Sequence, residues 1–225
     1  MKCDLCPRKC LVDRKKGEKG ICGQTENLKV ARAALHFWEE PCISGDAVSG
    51  AVFFSGCPLH CVFCQNENIA NGTVGKEISL ERLVDIFLEL QEKRANNINL
   101  VTPGHFVPQI VKALDQARKE GLTLPVVYNT SSYETVDTIK MLEGYVDIYL
   151  PDFKYMSPVL SKKYSHAPDY AEVAKAAIAE MVRQTGKAVF VNGEEDNLIL
   201  SGTIVRHLTL PGCMADSMQI VKYLH

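Results

Sequence analysis

The chain has 225 residues, of which 46% are hydrophobic and 23% charged, and its formal net charge at pH 7 is -2. This size and apolar content allow one sizeable core, which predicts one main domain with a small appendage. Basic residues are not concentrated beyond Arg14-Lys15-Lys16, so we expect no nucleic acid and no membrane as partners. The N-terminus lacks a signal-peptide core and the apolar runs are too short to span a bilayer, which predicts a cytoplasmic protein.

The N-terminal region is rich in cysteine. Four of the nine cysteines have the spacing C-x2-C-x3-C-x11-C, at Cys3, Cys6, Cys10 and Cys22. Disulfides are disfavoured in a reducing compartment, so this cluster indicates a possible second metal site in a small knuckle shaped by its ligand. The spacing leaves an iron-sulfur cluster, zinc and unligated thiols open. Cys42 and Cys213 stand alone and are predicted to be small buried hydrophobes.

Residues 26–50 form a connector whose structure the pattern does not assign. From Ala51 onward, short apolar runs alternate with amphipathic stretches, which is typical of strand-helix units. Strands are predicted over residues 51–54, 98–101, 125–128, 146–150 and 204–210. Parallel strands with right-handed crossovers form either an open doubly wound sheet or a barrel, and both bind ligands at the carboxyl ends of the strands. We therefore separate residues 1–50, the Cys-rich segment and connector, from residues 51–225.

Helical periodicity predicts amphipathic helices over residues 80–90, 107–117, 134–144 and 169–185, and a further helix from about Asp216. Ser79 is the expected N-cap of the first helix. Gly121 is the expected stop of the second. Residues 188–200 read as a hairpin inserted before the last strand.

A second cysteine group directly follows the first strand of this region. Cys57, Cys61 and Cys64 have the spacing C-x3-C-x2-C, which places three thiols on a loop at the strand's carboxyl end. Such a loop can wrap around a cube of iron and sulfide and would leave one iron open, because a closed 4Fe-4S site uses four thiolates. The alternatives are idle buried thiols or a zinc site completed by His60.

With Phe63 just before its last cysteine, this motif resembles that of the radical S-adenosylmethionine (SAM) superfamily. Residues 99–103, 128–131, 147–154 and 205–212 further resemble strand ends of pyruvate formate-lyase activating enzymes, especially of the branch described as their homologues. The resemblance covers nearly the whole chain, including the N-terminal cysteines. It implies an α/β fold, a partial (β/α) barrel of parallel strands with a small N-terminal Cys-rich knuckle.

The resemblance also implies an activity. Such an oxidoreductase cleaves SAM reductively at a 4Fe-4S cluster, and the resulting 5'-deoxyadenosyl radical abstracts hydrogen from a substrate. The substrate stays open between a glycyl-radical protein, another protein and a small molecule. A donor such as flavodoxin or ferredoxin would supply the electron. The alternative function is a non-catalytic iron-sulfur or zinc protein in electron transfer or assembly.

Site residues carry over from the resemblance one by one. The resemblance implies that Cys57, Cys61 and Cys64 bind the cluster. They are therefore expected to be catalytic through that cluster. The implied SAM contacts are Phe63 beside the adenine, Thr102, Asn129 near the methionyl amine, Asp152, Lys154 and Arg206.

For some of these residues the sequence also allows a role or an orientation that does not involve SAM. Phe63 could simply pack in the core. Asp152 and Lys154 could form an exposed loop pair. Arg206 and His207 alternate along the chain, so one would face the barrel interior and the other the helices.

Two features depart from the family pattern. Activating enzymes carry a Gly-Gly-Glu-like turn after the second strand that binds the methionyl amine, whereas this chain reads Thr102-Pro103-Gly104-His105. Backbone carbonyls or Thr102 would have to replace the missing carboxylate. Relatives also continue into at least a sixth strand beyond the position of His225, so we expect the last strand to be missing and the sequence to be a piece of a longer protein.

Overall fold

A computed structural model describes residues 2–45, 48–193 and 197–225. The strands are β1 (Lys29–His36), β2 (Ser49–Phe54), β3 (Lys76–Glu77), β4 (Ile98–Val101), β5 (Val126–Thr130), β6 (Ile148–Pro151), β7 (Val189–Phe190) and β8 (Ile199–Thr203). The helices are α1 (Pro41–Ser44), α2 (Glu67–Ala70), α3 (Leu80–Glu92), α4 (Val107–Lys119), α5 (Val136–Lys140), α6 (Pro158–Ser165), α7 (Tyr170–Thr185) and α8 (Met214–Leu224). None of the helices in these ranges is long and apolar enough to cross a bilayer.

The strands form one sheet in the order β3-β1-β2-β4-β5-β6-β8-β7. From β2 to β8 each neighbouring pair in this order is parallel. At the two edges β1, β3 and β7 pair antiparallel with their neighbours. Helices connect the parallel strands, so the α/β class and the partial barrel of parallel strands are confirmed.

The two faces of the sheet carry different cores because side chains alternate along each strand. On the outer face, residues such as Leu100 and Tyr128 are fully buried with the apolar sides of the helices. On the inner face, Val127 and Leu150 pack with Ile43 of α1. The inner face therefore encloses a lumen, and α1 occupies part of it.

The predicted helices agree with the structure. Ser79 caps α3 through a hydrogen bond from the Arg82 backbone N–H at 3.1 Å, and Gly121 follows α4 with a left-handed φ of +106°. α6 was not predicted, although Ser157 caps it in the same way as Ser79 caps α3. Its eight residues are too few for a clear apolar period, which explains the omission.

The prediction of the last strand over residues 204–210 was wrong. The strand is β8, which pairs with β6 through Gly202 opposite Ile148, and Arg206 keeps only an isolated bridge to Asp152. Ser201, Gly202 and Thr203 interrupt the apolar residues of this stretch, so the local pattern does not mark residues 199–203 as the strand. The predicted hairpin exists as β7 and β8, but its second arm is the last parallel strand itself, and its residues 194–196 lie outside the described residues.

The connector has a definite structure. Its β1 strand pairs with β2 over residues 30–36, and α1 then enters the lumen. Asn97, just before β4, donates to the Ile43 carbonyl at 2.9 Å. Since Asn97 marks the amino-terminal end of the parallel strands, α1 closes the lumen at that end.

The two isolated cysteines differ from expectation. Cys42 and Cys213 are half-buried rather than buried. Cys42 touches the inner core only from its edge, since Ile43 is the residue of α1 that inserts fully. Cys213 precedes α8, and its Sγ lies 3.7 Å from the Pro211 carbonyl oxygen.

Candidate functional site

A cavity of about 630 Å³ opens at the carboxyl ends of the parallel strands. Every residue implied as a cluster ligand or SAM contact lines it: Cys57, Cys61, Phe63, Cys64, Thr102, Asn129, Asp152, Lys154 and Arg206. These residues come from the loops and ends of all five parallel strands. The sheet thus brings together positions that are up to 149 residues apart in the chain.

The three cysteines lie on the loop that leaves β2. The Leu59 backbone N–H donates to Cys57 Sγ at 3.5 Å, and the Ser165 hydroxyl donates to Cys61 Sγ at 2.9 Å. Burial raises the pKa of Cys57 to about 11, against the opposing effect of backbone hydrogen bonds, and burial also raises the pKa of Cys64. The charge of Lys154 opposes the rise at Cys64 but does not cancel it. Both thiols therefore hold their protons at neutral pH, and a metal centre would supply the further positive charge that makes them thiolates.

His60 does not complete a zinc site with these thiols. Its Nε2 is 2.8 Å from the Ile21 carbonyl oxygen, and its Nδ1 is 3.1 Å from Asn71 Oδ1. Both ring nitrogens are therefore engaged by other groups. Within the described ranges, no three His, Cys, Asp or Glu side chains are arranged to hold a single ion. The metal donors that the cysteine loop presents to the cavity are three thiols, and this set fits a 4Fe-4S cluster with one open iron.

Arg206 is the centre of a polar network on the opposite wall. Its Nε donates to Asp152 Oδ1 at 3.0 Å, its Nη2 to Asn129 Oδ1 at 2.7 Å, and its Nη1 to Glu39 Oε1 at 3.1 Å. Lys154 Nζ lies 2.7 Å from Asp152 Oδ2. The side chains of Lys154 and Asp152 are only 17% and 24% exposed, so they do not form an exposed loop pair.

Arg206 and His207 point in different directions. Arg206 faces the lumen, whereas the ring of His207 lies 2.7 Å from the Phe153 carbonyl oxygen and 2.8 Å from Ser217 Oγ in α8. His207 also borders the cavity. Its hydrogen bonds anchor α8 against the loop after β6.

Lys154 is held as a cation. Burial by itself lowers its pKa, but the negative charges of Asp152 and of the Cys61 side chain outweigh that effect and raise it. A buried ammonium beside the cysteine loop suits a ligand that carries a carboxylate.

Phe63 packs in the core and also borders the cavity. Its ring makes edge contacts with Tyr155 and Tyr164, with centroids 6.5 and 6.3 Å apart. It also lines the cavity. Core packing therefore fixes the ring at the place where it borders the site.

The turn after β4 is unusual in its backbone. Thr102 has a φ of +54°, which is strained for a β-branched residue and recurs at functional sites. Its N–H donates to the Asn129 carbonyl at 2.9 Å. The turn has no carboxylate of its own, but the Glu134 carboxylate lies against Gly104, so close that a Cβ there would meet it at under 3.0 Å.

The structure adds residues that sequence reasoning did not find. Trp38, Glu39 and Glu40 line the cavity from the connector, together with Arg32 and His36 of β1. Burial raises the pKa of Glu39 to about 7, with Arg206 opposing and Glu40 adding to the rise. The adjacent acidic pair in an otherwise apolar stretch was the available signal, but its position in the fold was not predictable from local pattern.

The N-terminal segment packs against the cysteine loop. Arg8 Nε donates to the Pro58 carbonyl at 2.9 Å, and its Nη2 to the Ser165 carbonyl at 3.0 Å. Its guanidinium also lies 5.1 Å from the centre of the Tyr133 ring. The predicted N-terminal metal site and the cysteine loop are therefore neighbours in the fold.

Comparison with known proteins identifies the family. A protein of Methanocaldococcus jannaschii, named "Uncharacterized protein MJ0674", is 28% identical over 215 residues, which is 93% of this chain and 57% of that protein. The chain thus spans little more than half the length of the curated relative. Residues 51–197 match the family model of the Radical SAM superfamily, a range that includes the cysteine loop and four of the five parallel strand ends. The chain belongs to the radical SAM superfamily.

Proposed function

We propose that this protein is an oxidoreductase that cleaves SAM reductively at a 4Fe-4S cluster held by Cys57, Cys61 and Cys64. Membership in the superfamily implies both the cluster and SAM. The observation that carries the residue assignment is the cavity, where the three thiols share one space with the polar residues at the other strand ends.

Cys57, Cys61 and Cys64 would hold the cluster, which would supply the one electron for reductive cleavage of SAM to methionine and a 5'-deoxyadenosyl radical, the group that would abstract hydrogen from the substrate. The chain's own residues position the reactants and exclude water. α1 closes one end of the lumen with Ile43, which is 1% exposed. Leu59 and Phe63 pack with the aromatic cluster behind the cysteine loop.

The polar residues are assigned to SAM as follows. Lys154, held charged by Asp152, binds the carboxylate. The Asn129 side chain and the backbone carbonyl of strained Thr102 accept from the methionyl amine in place of the absent Gly-Gly-Glu turn. Phe63 borders the adenine. Arg206 orients Asp152 and Asn129 through its hydrogen bonds of 3.0 and 2.7 Å.

The resemblance to pyruvate formate-lyase activating enzymes supports a more specific proposal. The substrate class we favour is a glycyl-radical protein, and a small molecule or another protein is the alternative. A low-potential one-electron donor such as flavodoxin or ferredoxin would reduce the cluster. We expect the protein to act in the cytoplasm.

We also propose a second metal site at Cys3, Cys6, Cys10 and Cys22. Cys10 Sγ and Cys22 Sγ lie 3.4 and 3.7 Å from the position of a Cβ on Gly20, and the Ile21 N–H donates to Cys10 Sγ at 3.3 Å. Burial raises the pKa of Cys6 to about 12, and the charges of Cys10 and Cys22 contribute to the rise. Four thiols in one short segment support a shared thiophilic centre, an iron-sulfur cluster or zinc. Zinc would require the thiols to move, because the described side chains are not arranged around a single ion.

Release of 5'-deoxyadenosine tests the main proposal. The anaerobically reconstituted chain, with dithionite and SAM, is expected to release it, whereas Cys61→Ala is expected to fall to background because one cluster ligand is lost. Cys213→Ala is the matched control, since this half-buried cysteine lies outside both cysteine groups. Release by Cys61→Ala at the level of the control would refute the assignment of the ligands.

Metal analysis of the same samples tests the second site. About eight irons per chain, or about four irons and one zinc, is expected, with Cys10→Ala losing the second metal only. About four irons and no zinc in the unaltered chain as well as in Cys10→Ala would overturn the proposal of a second site.

A further inference from the structure

The floor of the cavity comes from a segment that precedes the family-matched region 51–197. Trp38, Glu39 and Glu40 line the cavity, while α1 directly behind them is fixed in the lumen by Ile43. Glu39 reaches Asn99, the second residue of β4, and therefore lies deeper in the lumen than Thr102, which follows that strand. The Glu39 carboxylate is thus buried below the turn after β4, next to Asn129 and Arg206.

The Glu39 carboxylate is held rigidly. Its Oε2 accepts from Asn99 Nδ2 at 2.7 Å and from Asn129 Nδ2 at 3.4 Å, and its Oε1 accepts from Arg206 at 3.1 Å. The side chain is 10% exposed. This carboxylate is oriented before any ligand arrives, which lowers the entropic cost of binding one.

Two acceptor oxygens at this floor have no hydrogen bond. Glu40 Oε1 lies 3.4 Å from Arg206 Nη1, but Glu40 Oε2 is buried and has no partner among the described residues. The same holds for Oδ1 of Asn99, a residue with no exposed surface. A buried acceptor without a donor is costly. Because Glu40 lines the cavity, its Oε2 points to a hydrogen-bond donor that the described part of the chain does not provide.

When all of its carboxyl groups are ionised, the floor carries an excess of negative charge. Glu39, Glu40 and Asp152 face two cations, Arg206 and Lys154. Arg32, another cation that lines the cavity, is exposed on β1. Burial raises the pKa of Glu39, and the neighbouring Glu40 carboxylate adds to the rise against the opposing charge of Arg206.

We propose that Glu39 and Glu40 bind a positively charged hydrogen-bond donor of the substrate, an ammonium or guanidinium group, at the floor of the cavity. The inference rests on the proposed function, because it places this group in the space where the radical would act. Such a cation supplies N–H donors to Glu40 Oε2 and removes the excess negative charge. The substrate's reacting carbon would then lie between the floor and the cysteine loop.

Binding of small cations tests the proposal without relying on turnover. Ethylammonium and ethylguanidinium chloride are titrated into the reconstituted full chain with SAM present, and propionamide serves as the neutral control. The fluorescence of Trp38, the chain's single tryptophan, reports binding because this residue lines the cavity. A saturable change with both cations and none with propionamide is expected.

Variants locate the site. Glu40→Gln is expected to weaken cation binding at least about tenfold, which corresponds to about 1.4 kcal/mol, and Glu39→Gln serves as a second variant. Glu92→Gln, on an exposed position of α3, is the control and should bind as the unaltered protein does. Circular dichroism and iron content verify that each variant is folded and loaded.

Affinity should also depend on pH. Arg206, Glu40, Asn99 and Asn129 face the Glu39 carboxylate, with Asp152 and Lys154 behind Arg206. Because a bound cation replaces the proton on Glu39, affinity is expected to rise about tenfold from pH 6 to pH 8.

The outcomes separate this inference from the proposed function. If neither cation binds, or if both glutamine variants bind as tightly as the control, while the same sample releases 5'-deoxyadenosine, the inference is overturned and the function stands. If the cations bind in a Glu40-dependent manner but no 5'-deoxyadenosine is released, the inference stands as a binding site and the proposed function fails.

Discussion

Glu134 is a buried carboxyl group packed against the turn after β4. Its Oε1 accepts from Thr130 Oγ1 at 2.8 Å and from the Tyr128 hydroxyl at 3.3 Å. Burial raises its pKa to about 7, and the two hydrogen bonds only partly oppose this. Burial in the folded protein therefore favours the protonated form of Glu134 over the charged form.

Substitution Glu134→Gln is expected to flatten the pH dependence of stability. Because the folded pKa lies above the unfolded value of about 4.3, the native state binds more protons in this window. Its stabilising contribution is fully present below about pH 4.3 and is lost as the pH rises through about 7, by roughly 4 kcal/mol at most. Urea unfolding between pH 5 and 8 measures this slope. Glu172→Gln, which changes an 82% exposed side chain, should keep the slope, and an unchanged slope in Glu134→Gln would contradict the assignment.

At the scale of elements, the cysteine loop is packed between the N-terminal segment and α2. Gly56, one residue before Cys57, has a φ of +92°, and a Cβ there would lie under 3.0 Å from the Cys22 carbonyl oxygen. The Gly56 N–H donates to the Ile69 carbonyl of α2 at 2.8 Å. A side chain at this position would have to displace the N-terminal segment from the loop.

A pair of glycine variants separates this close approach from backbone strain. Gly144→Ala, at a φ of +79° with open space around it, should cost about 1 to 2 kcal/mol from the left-handed backbone alone. Gly56→Ala should cost about 1 to 3 kcal/mol more, because of the added clash. Urea unfolding measures both values. Equal costs would show that the N-terminal segment is not pressed against the loop.

At the scale of the whole molecule, an ion-pair network joins the two ends of the parallel sheet. Glu39 follows β1, beside the first parallel strand, and Arg206 follows β8, the last one. Their contact spans 167 residues of sequence. The connector thus both closes the lumen and ties its two sides together.

Arg206→Ala should therefore destabilise the fold by about 2 to 3 kcal/mol. Removing one partner of a fully buried pair costs about 3 to 5 kcal/mol, and the 28% exposure of the Arg206 side chain reduces that value. Arg82→Ala removes an exposed ion pair with Glu89 and should cost less than about 1 kcal/mol. Denaturant unfolding compares the two, and equal losses would refute the role of Arg206 as a structural link.

Much of this molecule was predictable from local pattern. Strand-helix alternation, the capped helix α3 and the position of the cysteine loop depend on residues close together in sequence, and periodicity and spacing reveal them. The resemblance added the strand-end residues, from Thr102 to Arg206, and the cavity brings them together. The β1 strand and the short helix α6 were missed because neither has a clear apolar period.

The sequence alone determined the class of the fold, the three thiols on one loop and the family to which they point. Only the tertiary structure decided the register of β8, the inward direction of Arg206, the contacts of His60 and the place of Glu39 and Glu40 in the cavity. Each of these depends on contacts between residues far apart in sequence. These contacts form only when many weak interactions across the whole chain bring the distant residues together, so no local pattern in the sequence encodes them.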